Sequence, residues 1–334
     1  MSEEQKIILD MLSEGKITVE EAQQLLENLG GQPPKAETPR EKRQPPMSIM
    51  ENIVETLRSG LANFSFGIGD VSRIVLEESH TGSFSSRQVE LDLDVRNGTL
   101  RVDPSEDGSF HLEVIKRVNA GTREQAEEIV SGYKFAEYDG QRLKAGDSEC
   151  RNLGNRVNIS LRLRLPAGHV YAGRVVSKNG AIDISAIDVN GINLSTVNGA
   201  VRASKVTGAD VSASTVNGSI SLEGGLEHVE ARTTNGSISL FNMTEDSRIS
   251  LKTVNGRIKV QLPAREDIGF AVDARATSGN VRLEHSVLTD KFSVQRLGAG
   301  RKINGTTDNW DYAQHKISLY LRSVNGSIGI QELE

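Results

Sequence analysis

Residues able to do chemistry are scattered along this 334-residue chain rather than gathered. Its six histidines, His80, His111, His169, His228, His285 and His315, contain no HExxH pair and no closely spaced ligand set. Zinc and general-base sites are normally built on such spacings. Asp183 and Asp210 are isolated acids with no recurring carboxylate partner, whereas sugar-cleaving sites need two carboxylates facing each other. Gly298-Ala299-Gly300-Arg301-Lys302 suggests a phosphate loop, but it lacks the Gly-Lys-Ser/Thr ending and a following helix. A hairpin tip accounts for it better. Cys150 is the sole cysteine, so neither an internal disulfide nor a thiolate metal cluster is available. The expectation is a non-enzymatic chain with no cofactor and no metal.

Asn217-Gly218-Ser219 spells a glycosylation sequon, and Asn-Gly is also a strong turn signal. Its surroundings decide between the two. Seven copies align on Gly180, Gly199, Gly218, Gly236, Gly256, Gly279 and Gly326, with first intervals of 19, 19, 18, 20 and 23 residues and a last one of 47. Six copies carry Asn before the glycine, at Asn179, Asn198, Asn217, Asn235, Asn255 and Asn325; Ser278 is the exception. The positions two and four after each glycine are always aliphatic, from Ile182 and Ile184 to Ile328 and Ile330. Three before it stands Ser or Thr, except at Ala276.

A second aliphatic pair, such as Val211 and Ala213, sits seven and five residues before the glycine. The odd offset between the pairs would put them on opposite faces of one straight strand. The corner must therefore turn the chain, and Asn-Gly is expected to do so because both residues tolerate φ > 0. A fixed period with like residues at like places implies coils stacked about 4.8 Å apart, with Asn and Thr in ladders. The expected fold is mainly β: a single-stranded, right-handed β-solenoid of roughly 19-residue coils over 171–334. The sequons follow from the repeat and do not mark a sugar site.

Other segments surround this array. Residues 1–30 read as a helical hairpin, with Ile7, Ile8, Met11 and Leu12 at helical spacing and a capping box at Thr18–Glu21. Residues 31–46 hold five of the eight prolines and alternating charges, a composition suited to an extended linker. Residues 47–70 read as an amphipathic helix. Its stripe includes Ile49, Ile53, Leu57, Leu61 and Phe64, a candidate contact for a partner or a membrane surface. Over 71–170 alternating strands dominate, interrupted by one helix behind a capping box at Thr122–Gln125.

Charge is unevenly placed. The total is −6, and residues 1–30 alone net −5, with Lys6 and Lys16 against seven carboxylates. Aromatic residues are 4%, too few for stacking platforms, and no basic surplus suggests nucleic acid. The N-terminus lacks the features of a signal peptide and no apolar run is long enough to span a bilayer. A cytoplasmic or peripheral membrane location is expected, with surface display a weaker alternative.

The stretch ILDMLSEGKITVEEAQQLLENLG resembles the short helical (SHOCT-like) domain that opens bacterial YvlB/LiaX-type proteins. RVNISLRLRLPAG, SKNGAIDIS and the later Ser/Thr-Val-Asn-Gly units resemble the adhesin-like domain of unknown function that follows it there. The resemblance implies a bacterial binding or scaffold protein linked to the cell-envelope stress response, and it carries over no catalytic residue. Expected partners are a protein or a second copy through the N-terminal helices, a membrane surface, or an envelope-active peptide. The alternatives are a carbohydrate-active β-helix enzyme and a purely structural homo-oligomer.

Overall fold

The structure, a computed structural model, describes residues 72–289 and 292–333. The elements expected over 1–30, 31–46 and 47–70 lie outside them, as do Ile49, Ile53, Leu57, Leu61 and Phe64. Among the described residues 21 strands form one hydrogen-bonded sheet system, with a single α-helix at Arg123–Val130.

Strands either side of each corner alternate buried and outward residues. The parallel register places like on like: Ile220 lies beside Ile238, Leu222 beside Leu240, Val229 beside Ile249 and Ala231 beside Leu251. Each rung adds aliphatic area to one continuous buried cluster, and a buried Ile or Leu contributes about 1.5–3 kcal/mol.

The expected single-stranded β-solenoid is corrected here. The sheet is mixed, and the stack departs from chain order. The corner at Asn325-Gly326 lies between those at Gly256 and Gly279, since His315–Asn325 pairs in parallel with both Ser247–Asn255 and Ile268–Ser278. Strands without the corner motif also pair antiparallel at the two ends. At one end, Phe110–Ala120 pairs with Val157–Leu165 and with Ser72–Gly82. At the other, Gly300–Thr306 pairs with Ile268–Ser278 and with Gln295–Leu297. Such strands occupy edges that a repeating coil would leave unpaired.

The stack also begins before residue 171. Asn97-Gly98 forms a further corner, and Gln88–Asn97 runs parallel to Val170–Asn179. The helix sits where its capping box put it: Thr122 Oγ1 accepts from the Gln125 amide at 3.3 Å, and Ala126 is buried.

The corner glycines turn out to serve a different purpose from the expected one. Gly180, Gly199, Gly218, Gly236, Gly256 and Gly326 do not have positive φ. A Cβ on Gly199 would instead overlap the carbonyl oxygen of Gly180, one on Gly218 that of Gly199, and so on up the stack. Glycine is needed because adjacent coils approach too closely for any side chain there.

Candidate binding faces

Three ladders hold the corners in register. Each Asn amide nitrogen donates to the Asn carbonyl oxygen of the preceding coil: Asn179 to Asn97 and Asn198 to Asn179, both at 2.7 Å, then Asn217, Asn235 and Asn255 at 2.8 Å, and Asn325 to Asn255 at 2.9 Å. The buried hydroxyls of Ser177, Thr196, Thr215, Thr233, Thr253 and Ser323 donate to the preceding glycine carbonyl at 2.9–3.1 Å. Main-chain bonds such as Gly199 N to Asn217 O, 3.2 Å, complete the set. The side-chain amides of Asn217, Asn235 and Asn325 are thus engaged in the frame.

On this frame, outward residues become columns. The column four residues before the corner glycine reads, in spatial order, Asp94, Val176, Ser195, Ser214, Arg232, Lys252, Arg322 and Arg275. Lys302, on the antiparallel strand beyond, sits opposite Arg275 and extends it. Five cations in direct lateral register cover about 19 Å at the usual strand spacing. Like charges directly opposite one another oppose sheet formation, so this row is not explained by folding.

Some of its charge is balanced. Arg232 pairs with Glu230, and Arg322 with Asp273. The Tyr320 ring lies between two members, 5.0 Å from Lys252 Nζ and 3.9 Å from the Arg322 guanidinium carbon. Arg275 and Lys302 have no ion pair among the described residues.

The opposite end of the same face is built from paired charge. Asp92, its side chain 7% exposed, accepts from Arg174 Nε at 2.7 Å and Arg142 Nη2 at 2.8 Å. Asp147, 2% exposed, holds Arg96 through Nε at 3.1 Å and through its main-chain N–H at 2.8 Å. Burial pushes the Asp94 carboxyl above its usual range; Arg174 opposes that, while Asp147 and Asp92 add to it.

The other candidates have structural partners. Asp183 pairs with Arg202 at 2.8 Å and Asp210 with His228 at 3.2 Å. His80 bonds Glu78 at 2.7 Å and His111 bonds Asp107 at 3.0 Å. His169 packs edge-on against Phe84. His285 is buried beside Phe270, with Nε2 3.2 Å from the Pro263 carbonyl; burial holds it below the ordinary histidine range. His315 Nδ1 lies 2.6 Å from Asp246, whose hydrogen bond raises the histidine pKa. Cys150 is buried, and that burial pushes its thiol up. Gly298 turns a hairpin between Gln295–Leu297 and Gly300–Thr306. Among the described residues no group of three or more His, Cys, Asp or Glu could hold a metal ion, and no helix is long and apolar enough to cross a membrane.

The cation row went unnoticed in the sequence. Its signal is the column four before the glycine, where the last four copies all carry a cation, Arg232, Lys252, Arg275 and Arg322; only Lys302 lies outside the repeat.

Comparison with known proteins gives a family. The Toastrack DUF4097 model matches residues 88–305, and a SHOCT-like domain model matches residues 3–33. No curated protein matches the chain. Among solved structures, a "putative cell adhesion protein" from Clostridium sporogenes is 12% identical, with a TM-score of 0.36, covering 78% of this chain and 100% of that one. A "putative adhesin" from Bacteroides fragilis is 11% identical with a TM-score of 0.35, covering 79% and 99%. A "putative lipid binding protein" from Parabacteroides distasonis is 12% identical with a TM-score of 0.34, covering 77% and 97%.

Proposed function

The chain belongs to the Toastrack DUF4097 family, and from that premise we propose that it is a non-enzymatic binding scaffold of the bacterial cell envelope. One observation carries this: the in-register row Arg232, Lys252, Arg322, Arg275 and Lys302 on a face fixed by corner ladders. A row of cations at strand spacing suits an anionic envelope surface, where each Lys or Arg contributes about 1 kcal/mol of attraction. The rigid backbone lets the row act together, because little ordering cost remains on contact.

The N-terminal segment is the second half of the proposal. A SHOCT-like helical domain at 1–30, joined through the linker at 31–46, would engage a protein partner or a second copy of the chain. Its net charge of −5 also suits a cationic envelope-active peptide. Ile49, Ile53, Leu57, Leu61 and Phe64 would supply the apolar contact to lipid or protein. The link to envelope stress belongs with these expectations, in which occupancy of one end alters what the other end binds.

The test uses the full chain with vesicles of phosphatidylglycerol and of phosphatidylcholine. Binding to the anionic vesicles alone, weakening as salt rises, is expected. Equal binding to both kinds, or to neither, overturns the proposal. Ile53→Glu combined with Leu57→Glu should weaken binding further if that stripe touches lipid, and should leave it unchanged if the stripe touches protein.

A further inference from the structure

A second feature lies on the other sheet face, after the corners, and stands apart from the cation row. The column three residues beyond each glycine reads Arg101, Asp183, Arg202, Ser221, Ser239, Lys259, Gly329 and Arg282 in spatial order. Every coil presents a side chain there except the one at Gly329. Glycine weakens a strand interior and, when present, often marks a place where something else approaches closely.

Gly329 has no backbone reason to be glycine. Its φ is not in the left-handed region, and a Cβ built on it would meet nothing within 4 Å. It differs in this from the corner glycines, each pressed against the neighbouring coil. The missing side chain leaves a depression of about 310 Å3 lined by Arg257, Lys259, Arg282, Ser327, Glu284 and Gln331, among others.

The cations converge on that gap. Lys259 and Arg282 flank Gly329 in direct register on the strands either side, so their Cα atoms are about 10 Å apart, two strand spacings. Arg257 stands two residues nearer the corner, its Nε 3.2 Å from Ser327 Oγ. The one carboxylate, Glu284, accepts a hydrogen bond from Gln331 at 2.6 Å. None of the three cations has an ion pair among the described residues. Three positive side chains around one acid leave the depression cationic, and the floor is bare main chain.

We propose that the Gly329 depression is a binding site for a compact tetrahedral oxyanion, a phosphate group, held between Lys259 and Arg282 with Arg257 and the Ser327 hydroxyl at its rim. Arginine presents paired N–H donors to phosphate oxygens and lysine a point charge. The gap left by the glycine lets the anion sit low between them. The phosphate is either free in solution or carried on a lipid headgroup.

The full chain is titrated with inorganic phosphate at constant ionic strength and, separately, mixed with phosphatidylglycerol vesicles. Saturable phosphate binding is expected. Gly329→Thr should weaken it by about tenfold or more, and Lys259→Gln and Arg282→Gln by about three- to tenfold each. Threonine suits a strand and meets open space here, so the melting temperature of Gly329→Thr without phosphate should match or exceed that of the parent. Should this variant misfold, Lys259→Gln combined with Arg282→Gln decides the matter, because both side chains reach solvent.

The double variant Arg275→Gln/Lys302→Gln should bind phosphate like the parent, which separates this site from the cation row. Vesicle binding sensitive to Gly329→Thr identifies the headgroup as the source of the phosphate; sensitivity confined to inorganic phosphate identifies the free ion. The proposal is overturned if the parent binds neither in a Gly329-dependent way, or if Gly329→Thr binds phosphate as tightly as the parent.

Discussion

The two ends of one sheet face treat charge in opposite ways. Around Asp92, two arginines meet a carboxylate with little exposure, and Arg96 is tied to Asp147 by side chain and main chain. Across Lys252, Arg322, Arg275 and Lys302, cations stand beside cations, with Asp273 and the Tyr320 ring the principal relief. Both places share the laddered parallel strands, and they differ in their outward side chains and in the flanking strand, parallel at Arg142–Gly146 and antiparallel at Gly300–Thr306. Removing one partner from paired charge near the interior strands the other and costs stability; a surface row of adjacent cations, only partly balanced, opposes folding slightly and is available to a partner.

The contrast can be broken most severely through the frame that both ends share. Gly218→Ala forces a methyl group into the Gly199 carbonyl and should cost about 4 kcal/mol or more. Chemical denaturation would read this as loss of a cooperative transition or a large fall in its midpoint. A loss below about 1 kcal/mol would mean the coils separate more easily than their spacing implies.

Charge substitutions sharpen the contrast. Asp92→Ala removes the acceptor of two arginines and should lower stability by about 1–3 kcal/mol. Lys252→Gln in the cation row should stay within about 0.5 kcal/mol of the parent, or raise stability by relieving repulsion. Equal losses at the two sites would erase the distinction between them.

The smallest effect concerns Asp94. Its folded pKa lies above the usual value, chiefly through burial, so ionising it costs folding free energy. That cost is absent at low pH and appears as pH rises through the folded pKa. Asp94→Asn should therefore be more stable than the parent at neutral pH, by about 0.5 kcal/mol. The advantage should disappear as pH falls through the carboxylate range, a crossing visible in denaturation midpoints between pH 3 and 7.

Much of the frame could be read in the residues. Aliphatic positions two and four past each glycine announce a shared core, and the Asn and Ser/Thr rows announce ladders, because a ladder demands identical side chains at one height. The corner at Asn97-Gly98 was hidden. Val95 replaces the usual hydroxyl, and 82 residues separate Asn97 from its ladder partner Asn179. The exchanged order of the last two copies was equally hidden, since local pattern says nothing about which coil a strand joins. The degenerate copy at Gly279 does carry a clue. Ala276 and Ser278 stand in an end coil, where no further coil extends the ladders, so the pressure on residue type falls.

The need for glycine at the corners comes from a neighbouring coil. Single-strand φ preferences do not contain it. The cation row was legible in part, because the position four before the glycine is a cation in each of the last four copies, Arg232, Lys252, Arg275 and Arg322. Its order in space, and its extension to Lys302 on an antiparallel strand outside the repeat, come only from the strand pairing.

Vesicle binding by the triple variant Lys252→Gln/Arg275→Gln/Lys302→Gln, beside the parent full chain, tests the central claim most directly. Three fewer cations near an anionic surface should remove about 3 kcal/mol of attraction, a weakening of roughly a hundredfold on phosphatidylglycerol vesicles. Denaturation midpoints should hardly move. If the triple variant binds as tightly as the parent, the row is not the binding surface and the account of this face is wrong.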